Sequence, residues 1–194
     1  LVVRLDAHGL TIVVQALNRH VVLVGMTASG KTSVAKEIAR RLDIASLDTD
    51  DIVKQIDGRS VREIFAQDGE VVFRQLEARA LDDALSMGAP TVIAVAAGAV
   101  TVEANRTRLL EAGRCGRADI VWLRCEVSAL VPRVEAEGHR PLLDDDAAGT
   151  LQRMASARTP LYEAVATHSI DTHGHDVDEV ADLIINLLST ESAT

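Results

Sequence analysis

Residues 25–32 carry the pattern that most constrains how this chain can fold. They are Gly-Met-Thr-Ala-Ser-Gly-Lys-Thr, which matches G-x-x-x-x-G-K-[ST]. The pattern lies between a β-branched run at 21–24 and a stretch at 31–42 whose apolar residues recur at helical spacing. A turn of small residues between a buried strand and a helix N-terminus points backbone N–H groups at an anion, and the helix dipole adds to the attraction. The pattern therefore predicts a nucleotide phosphate site.

Two side chains of this loop are assigned to chemistry by the same pattern. Lys31 is expected to contact the β- and γ-phosphates of a nucleotide, and the Thr32 hydroxyl to bind Mg²⁺. The other predicted nucleotide contacts are residues of the loop and of the first helical turn: Gly25, Met26, Thr27, Ala28, Ser29, Gly30 and Ser33. The alternative is an ordinary glycine-bearing turn with an exposed lysine.

Apolar runs and amphipathic stretches alternate along the rest of the chain. Further buried strands are predicted at 91–96, 119–125 and 168–172, and further helices at 70–87 and 177–188. Ser60 followed by Glu63 is typical of a capping box at the start of a helix. The alternation predicts an α/β fold with three α/β/α layers and a central parallel sheet of about five strands.

Composition limits the classes of ligand and partner. In 194 residues, 47% are hydrophobic and 25% are charged, which suits one globular domain. The net charge of −9 argues against nucleic-acid binding, because such proteins normally carry a basic patch. The longest apolar run is far too short for a membrane span, and Cys115 and Cys125 lack the spacing of metal ligands. We therefore expect a cytoplasmic monomer that binds neither membrane nor nucleic acid.

The segment 46–51, Ser-Leu-Asp-Thr-Asp-Asp, follows the first helix where the next strand should end. In open α/β sheets, ligands gather at the carboxyl ends of the strands. One of Asp48 and Asp50 could therefore support a metal ion while the other meets an acceptor hydroxyl. The alternative is that Asp50 or Asp51 only caps a helix that begins at Ile52.

Three arginines stand near features that suggest a second substrate. Arg140 lies in the polar, acidic segment 135–150, which glycine and proline interrupt, and such a segment is typical of a mobile functional loop. Arg74 precedes Glu77 by three residues on one helical face, and Arg158 lies in the segment Ala-Arg-Thr-Pro-Leu-Tyr. Each arginine alone would be unremarkable, since such side chains are usually solvated.

Together with the phosphate loop, these segments make the chain similar to shikimate kinases. The resemblance covers about 21–188, in order, and rests on GMTASGKTS, LDTD, GRSVREIFAQDGEVVFRQLE, GAV, HRPLL, ARTPLY and IDT. The third of these is the most specific, because a generic phosphate loop does not bring IF-x-x-x-G-E-x-x-F-R-x-x-E with it. The resemblance implies a P-loop kinase fold with a mobile lid. It also implies phosphoryl transfer from MgATP to the 3-hydroxyl of shikimate, a step of aromatic amino-acid biosynthesis.

Roles for individual residues follow from the same resemblance. Asp50 would bind the acceptor hydroxyl as its base or orienting group, and Arg140 would neutralise charge on the transferring phosphoryl group as the lid closes. Arg74, anchored by Glu77, would hold the acceptor carboxylate together with Arg158. The remaining implied contacts are Arg133 on adenine, Asp48 on the magnesium shell, and Ala97 and Gly98 on the acceptor.

Two positions depart from the family pattern. The family has three glycines after its central strand, whereas 96–98 are Ala-Ala-Gly here. A positive φ at either alanine would cost roughly 1–2 kcal/mol, and otherwise two methyl groups would crowd the acceptor. Ala28 replaces a usual loop glycine at a position that the general motif leaves variable. The alternatives are therefore a related kinase for another small hydroxy acid such as gluconate, or a non-catalytic nucleotide-binding module.

The expected organisation is a single P-loop kinase domain over 21–190. Its acceptor-binding region is expected at about 48–80 and its lid at about 135–150. Residues 1–20 have no counterpart in the resemblance and are expected to form an N-terminal extension of unknown role.

Overall fold

Seven strands and seven α-helices make up the part of the chain that the computed structural model describes, residues 2–5, 11–14, 17–136 and 146–191. The strands are β1 (Val2–Leu5), β2 (Thr11–Val14), β3 (His20–Val24), β4 (Ala45–Asp48), β5 (Thr91–Ala94), β6 (Ala118–Arg124) and β7 (His168–Asp171). The helices are α1 (Lys31–Leu42), α2 (Thr49–Asp57), α3 (Val61–Leu85), α4 (Glu103–Arg114), α5 (Val127–Ala136), α6 (Ala147–Val165) and α7 (Val177–Glu191). Arg140 and the middle of the predicted lid lie outside the described residues.

Five of the strands form one parallel sheet in the order β4-β5-β3-β6-β7. β1 and β2 pair antiparallel as a separate two-stranded sheet. Parallel neighbours need a crossover connection, and a helix lies between each pair of consecutive strands from β3 to β7. The predicted parallel sheet of about five strands is confirmed.

Two cores lie on opposite faces of this sheet because side chains alternate along its strands. Val21 and Leu23 of β3 pack in a core with apolar residues of α1 and α7. Val22 and Val24 pack in a second core with residues of α3, α4, α5 and α6. All five residues of β3 are buried, as expected for a central strand that helices cover on both sides. The three-layer α/β/α architecture is confirmed.

The helix predicted at 70–87 is part of a longer element, α3, that begins at Val61 and ends at Leu85. Ser60 and Glu63 form the predicted capping box, with side chain and backbone bonded reciprocally. Gly69 interrupts the helix with φ 79° and ψ −179°, a conformation that favours glycine. The helix ends at Leu85, slightly before the predicted end at 87, because Ser86 caps the last turn through backbone bonds.

α2 and α3 share a small core of their own, which we call the α2–α3 cluster. Its buried members are Val53, Ile64, Phe73 and Ala80. The Arg59 guanidinium in the connecting turn bonds Asp57 at the end of α2 and Gln67 and Asp68 just before the Gly69 break. The two helices are thus joined to each other both by apolar packing and by charge.

None of the helices in the described ranges has both the length and the apolar character that a membrane crossing would need.

Candidate active site

The phosphate loop joins β3 to α1 at the carboxyl end of the central strand. Gly25 has φ 148°, and a Cβ there would lie 2.7 Å from the Leu123 carbonyl oxygen on β6. Gly30 has φ 90° and caps α1 without a side-chain acceptor for the first N–H groups of the helix. Both glycines are therefore required by backbone geometry, and the helix N-terminus has the form that binds phosphate.

Backbone strain lies at Ala28 and not at the alanine pair. Ala28 has φ 57°, and among the described residues the only other non-glycine residue with a positive φ is Asp43. Ala96 and Ala97 therefore fit their backbone, so the suspected cost of a positive φ at these positions is absent. What distinguishes them from glycine is the pair of methyl groups.

Lys31 and Thr32 are both engaged by hydrogen bonds around the loop. The Lys31 Nζ donates to the carbonyl oxygens of Gly25 at 3.0 Å and Met26 at 2.7 Å. The Thr32 Oγ1 donates to the Asp48 Oδ2 at 2.6 Å, which brings a hydroxyl and a carboxylate together at the start of α1. Hydroxyl and carboxylate oxygens are ligands that suit Mg²⁺.

Asp48 also caps α2, which begins at Thr49. Its Oδ1 accepts a bond from the Asp50 backbone N–H at 3.0 Å. The alternative that Asp50 or Asp51 caps a helix starting at Ile52 was therefore wrong, because the residue before Thr49 performs this role. Asp50, the next acidic residue, lines the cleft beside the phosphate loop.

A cleft joins the loop to the ends of β4 and β5. The residues that line it are Thr27, Ala28, Gly30, Lys31, Thr32, Ser33, Asp48, Asp50, Val95, Ala96 and Ala97. The predicted phosphate contacts, both aspartates and the alanine pair thus surround one space at the carboxyl edge of the sheet, where ligands gather in α/β folds.

Arg74 borders the same region from α3. Its Nη1 donates to the Glu77 Oε2 at 2.9 Å, and its Nε and Nη2 donate to the Glu70 Oε1 at 3.2 and 3.0 Å. A Cβ at Gly98 would lie 2.6 Å from the Arg74 Nη1. The last position of the 96–98 segment therefore has to be glycine for the guanidinium to keep this place.

Glu77 is 1% exposed, and burial raises the pKa of its carboxyl group while Arg74 and Arg158 oppose the rise. The negative charge of Asp50 acts in the same direction as burial, because it disfavours a second negative charge nearby. The predicted Arg74–Glu77 contact is present, and the charges of Asp50, Arg74 and Arg158 meet at Glu77.

Arg158 lies on α6, and its positive charge lowers the pKa of Glu77. Tyr162, one helical turn later, donates its phenol proton to the Ala97 carbonyl oxygen at 2.7 Å. On α5, the Arg133 Nη1 donates to the Ala28 carbonyl oxygen at 3.4 Å, so this arginine lies over the phosphate loop.

Three contact residues were missed by the analysis of the sequence: Thr49, Glu70 and Tyr162. Thr49 Oγ1 accepts a bond from the Ala96 N–H at 2.9 Å. Each of the three lies inside a motif in which other residues were assigned roles. Its position within that motif was the signal that could have identified it.

The sheet order, the glycine-dependent loop and the Thr32–Asp48 pair define the chain as a P-loop phosphotransferase. The family model described as shikimate kinase matches residues 27–189. The chain belongs to the shikimate kinase family.

Curated relatives and solved structures agree with this assignment. The chain is 36% identical over 176 residues to a shikimate kinase of Ruegeria pomeroyi, covering 90% of this chain and 87% of that protein. It is 42% identical over 164 residues to one of Frankia casuarinae, covering 84% and 70%. The structure of shikimate kinase from Acinetobacter baumannii in complex with shikimate matches with a TM-score of 0.84 at 29% identity, covering 92% of this chain and 97% of that one.

A gluconokinase from Sinorhizobium meliloti shares the fold, with a TM-score of 0.60 at 17% identity, covering 92% of this chain and 98% of that one. At this identity the likeness extends to the fold alone. The resemblance inferred from the motifs is confirmed, and neither the gluconate-type kinase nor the non-catalytic module is favoured.

Proposed function

We propose that this chain transfers the γ-phosphoryl group of ATP to the 3-hydroxyl group of shikimate. The observation that carries the proposal is a cleft that Asp50 lines together with the phosphate loop and Ala97, next to the glycine that contacts the Arg74 guanidinium. A hydroxy acid placed there would meet a carboxylate at its hydroxyl and a guanidinium at its acid group. Membership of the shikimate kinase family selects shikimate among such acids.

Asp50 acts on the acceptor hydroxyl as base or orienting group, because its side chain faces the cleft at the N-terminal turn of α2. Lys31 neutralises charge on the β- and γ-phosphates. To do so its Nζ exchanges the carbonyl oxygens of Gly25 and Met26 for phosphate oxygens. Phosphoryl transfer depends mainly on such positioning and charge stabilisation.

Mg²⁺ would be held by Thr32 and, directly or through water, by Asp48. The 2.6 Å bond between the Thr32 Oγ1 and the Asp48 Oδ2 places two oxygen ligands side by side next to the phosphate cradle. The ion would neutralise phosphate charge. Arg133 would pack on adenine from α5, and Arg140 would act from the lid on the transferring group.

The acceptor carboxylate would be bound by Arg74, Arg158 and the 97–98 segment. Guanidinium groups suit this task because their fork of donors matches a carboxylate. In the structure, Glu70 accepts from the Nε and Nη2 of Arg74, which are two donors of such a fork. The acceptor carboxylate would therefore take the place of Glu70 on that edge.

The decisive experiment compares Asp50→Asn with Asp51→Asn, because both aspartates are exposed but Asp51 does not line the cleft. ATP turnover is measured with shikimate and with gluconate, and the product is identified by ³¹P NMR. Asp50→Asn should lower kcat with shikimate by about a hundredfold or more, while Asp51→Asn stays close to wild type. Preferential turnover of gluconate, or full activity of Asp50→Asn, would overturn the proposal.

We propose further that the enzyme acts as a monomer in the cytoplasm on small molecules alone. Its net charge of −9 is unsuited to nucleic acid. Sedimentation of the purified protein tests the oligomeric state.

A further inference from the structure

Contacts from three elements hold the segment 96–98 in place. Thr49 at the start of α2 accepts from the Ala96 N–H at 2.9 Å, and Tyr162 on α6 donates to the Ala97 carbonyl oxygen at 2.7 Å. Arg74 on α3 packs its guanidinium against Gly98. Arg74 is already assigned to the acceptor side, and Thr49 is adjacent to Asp50, which is assigned to the same side. The contact from Tyr162 has no assigned role.

Tyr162 is held rigidly. It is 1% exposed, and its ring stacks on Trp122 with centroids 6.1 Å apart and planes 25° apart. Burial raises the pKa of the phenol to about 12, so the hydroxyl keeps its proton near neutral pH. The hydroxyl therefore remains a donor to Ala97, and its oxygen can still accept a bond from a cation.

That cation is Arg158. It lies four residues before Tyr162 on α6, a spacing that places two side chains on the same helical face. Its positive charge opposes the effect of burial on the pKa of the phenol, as expected for two side chains that neighbour each other on this face. Arg158 itself is half-buried, whereas a free arginine side chain would sample many conformations.

A purely structural explanation is available, since buried tyrosines usually find a partner for their hydroxyl. It does not account for the position of that partner. Of the backbone carbonyls near α6, Tyr162 bonds that of Ala97, which lines the cleft beside Asp50 and is followed by the glycine that contacts Arg74.

We propose that Tyr162 is a positioning residue for the acceptor: its phenol oxygen holds Arg158 beside the 96–98 segment, so that Arg158 and Arg74 meet the acceptor carboxylate from two helices. The inference rests on the proposed function, because it takes a carboxylate-bearing acceptor as the ligand. Tyr162 does not touch the reacting atoms, and it acts through Arg158.

Tyr162→Phe tests the proposal because it removes the hydroxyl and keeps the ring on Trp122. We expect KM for shikimate to rise by about tenfold, the size expected for one lost hydrogen bond, with kcat and the KM for ATP nearly unchanged. Thr167→Val is the control, since it removes a hydroxyl that bonds the backbone of Ile120 away from the cleft. The emission of Trp122, the one tryptophan of the chain, and the thermal midpoint show that the fold is kept.

A double-mutant cycle with Arg158→Ala separates positioning from packing. If Tyr162 acts through Arg158, the phenylalanine substitution changes kcat/KM for shikimate very little in the Arg158→Ala background. If the loss is as large in that background as in the wild type, Tyr162 acts on the 96–98 segment alone and the proposal is overturned. An unchanged KM for shikimate in Tyr162→Phe also overturns it. Failure of the wild-type enzyme to phosphorylate shikimate would overturn the proposed function first, and the inference with it.

Discussion

Ala28 occupies the phosphate loop with φ 57°, where a Cβ costs roughly 1–2 kcal/mol. Ala28→Gly should remove that strain. The greater conformational freedom of glycine in the unfolded chain favours unfolding by roughly 0.5–1 kcal/mol and so offsets part of the gain. We therefore expect the free energy of unfolding, measured with urea, to rise by up to about 1 kcal/mol. The exposed helical Ala66 is the control, since Ala66→Gly should lower it by roughly 0.5–1 kcal/mol. An equal loss of stability in both variants would show that Ala28 is not strained.

Lys31→Ala should lower kcat at least about a hundredfold, because the ammonium stabilises the phosphoryl group in the transition state. The variant should also lose about 1 kcal/mol of stability, since the Nζ bonds two carbonyl oxygens of the loop. Lys36, exposed on the same helix, is the control for both measurements. Activity of Lys31→Ala near that of Lys36→Ala would exclude the assigned role.

Individual residues differ in how far the sequence could predict them. The phosphate loop was predictable because glycine and lysine are required there by backbone geometry and charge. The strain at Ala28 was not, since alanine gives no sign of a positive φ. The role of Tyr162 depends on the Ala97 carbonyl, 65 residues away in the chain, and only the fold brings the two together.

At the scale of elements, the residues that follow β5 line the cleft beside the phosphate loop. Ala96 and Ala97 line it without backbone strain, so their effect on an acceptor is that of two methyl groups. We expect replacement of both by glycine to change the KM for shikimate, with a decrease if the methyl groups crowd the acid. The KM for ATP should stay nearly constant.

The control for the double-glycine variant is Ala94→Gly, which lies in β5 and faces the core beneath α1. Both variants should lose roughly 0.5–1 kcal/mol of stability per glycine, because glycine loosens a strand or its end. A shift of the shikimate KM in both variants would show that the effect comes from a more flexible backbone and not from the lost methyl groups. No shift in either would place the acceptor away from 96–98.

Element boundaries were less predictable than the elements. α1, β5, β6 and α7 were predicted within a few residues, because their apolar periodicity is regular. The start of α2 depends on Asp48, whose other oxygen is bonded by Thr32 from a different helix. The true length of α3 was missed because Gly69 breaks the helix at its middle without ending it.

At the scale of the whole molecule, charges on α1 and α7 join the two helices. Hydrogen bonds from Arg40 and Arg41 lower the pKa of Glu37 from 4.5 to about 2, and Arg41 also bonds Asp178 and Asp182 on α7. The pKa of Glu37 is lower in the folded than in the unfolded protein. Its carboxylate therefore stabilises the fold above pH 4.5, and this contribution is lost as the pH falls toward 2.

Glu37→Gln should therefore lower the free energy of unfolding near neutral pH and have progressively less effect in acid. Urea titrations of both proteins across this range measure the difference. The difference should also shrink in high salt, because Arg40, Asp178 and Asp182 in the same charge network are exposed to solvent. A difference that is constant with pH would mean that Glu37 contributes through packing and not through its charge.

The separate α2–α3 cluster also has a consequence for how the protein opens. The cluster has four buried apolar residues and the Gly69 break lies between them, so it buries much less apolar surface than the two cores on the sheet. Its amide hydrogens should exchange with solvent deuterium through a local opening, at a lower free energy than those of β3, which exchange only on global unfolding. Because Arg59 bonds both helices, α2 and residues 61–68 should open as one unit, and Arg59→Ala should give them separate exchange rates. Protection of α2 equal to that of β3 in native-state exchange would show that the cluster unfolds only with the whole protein.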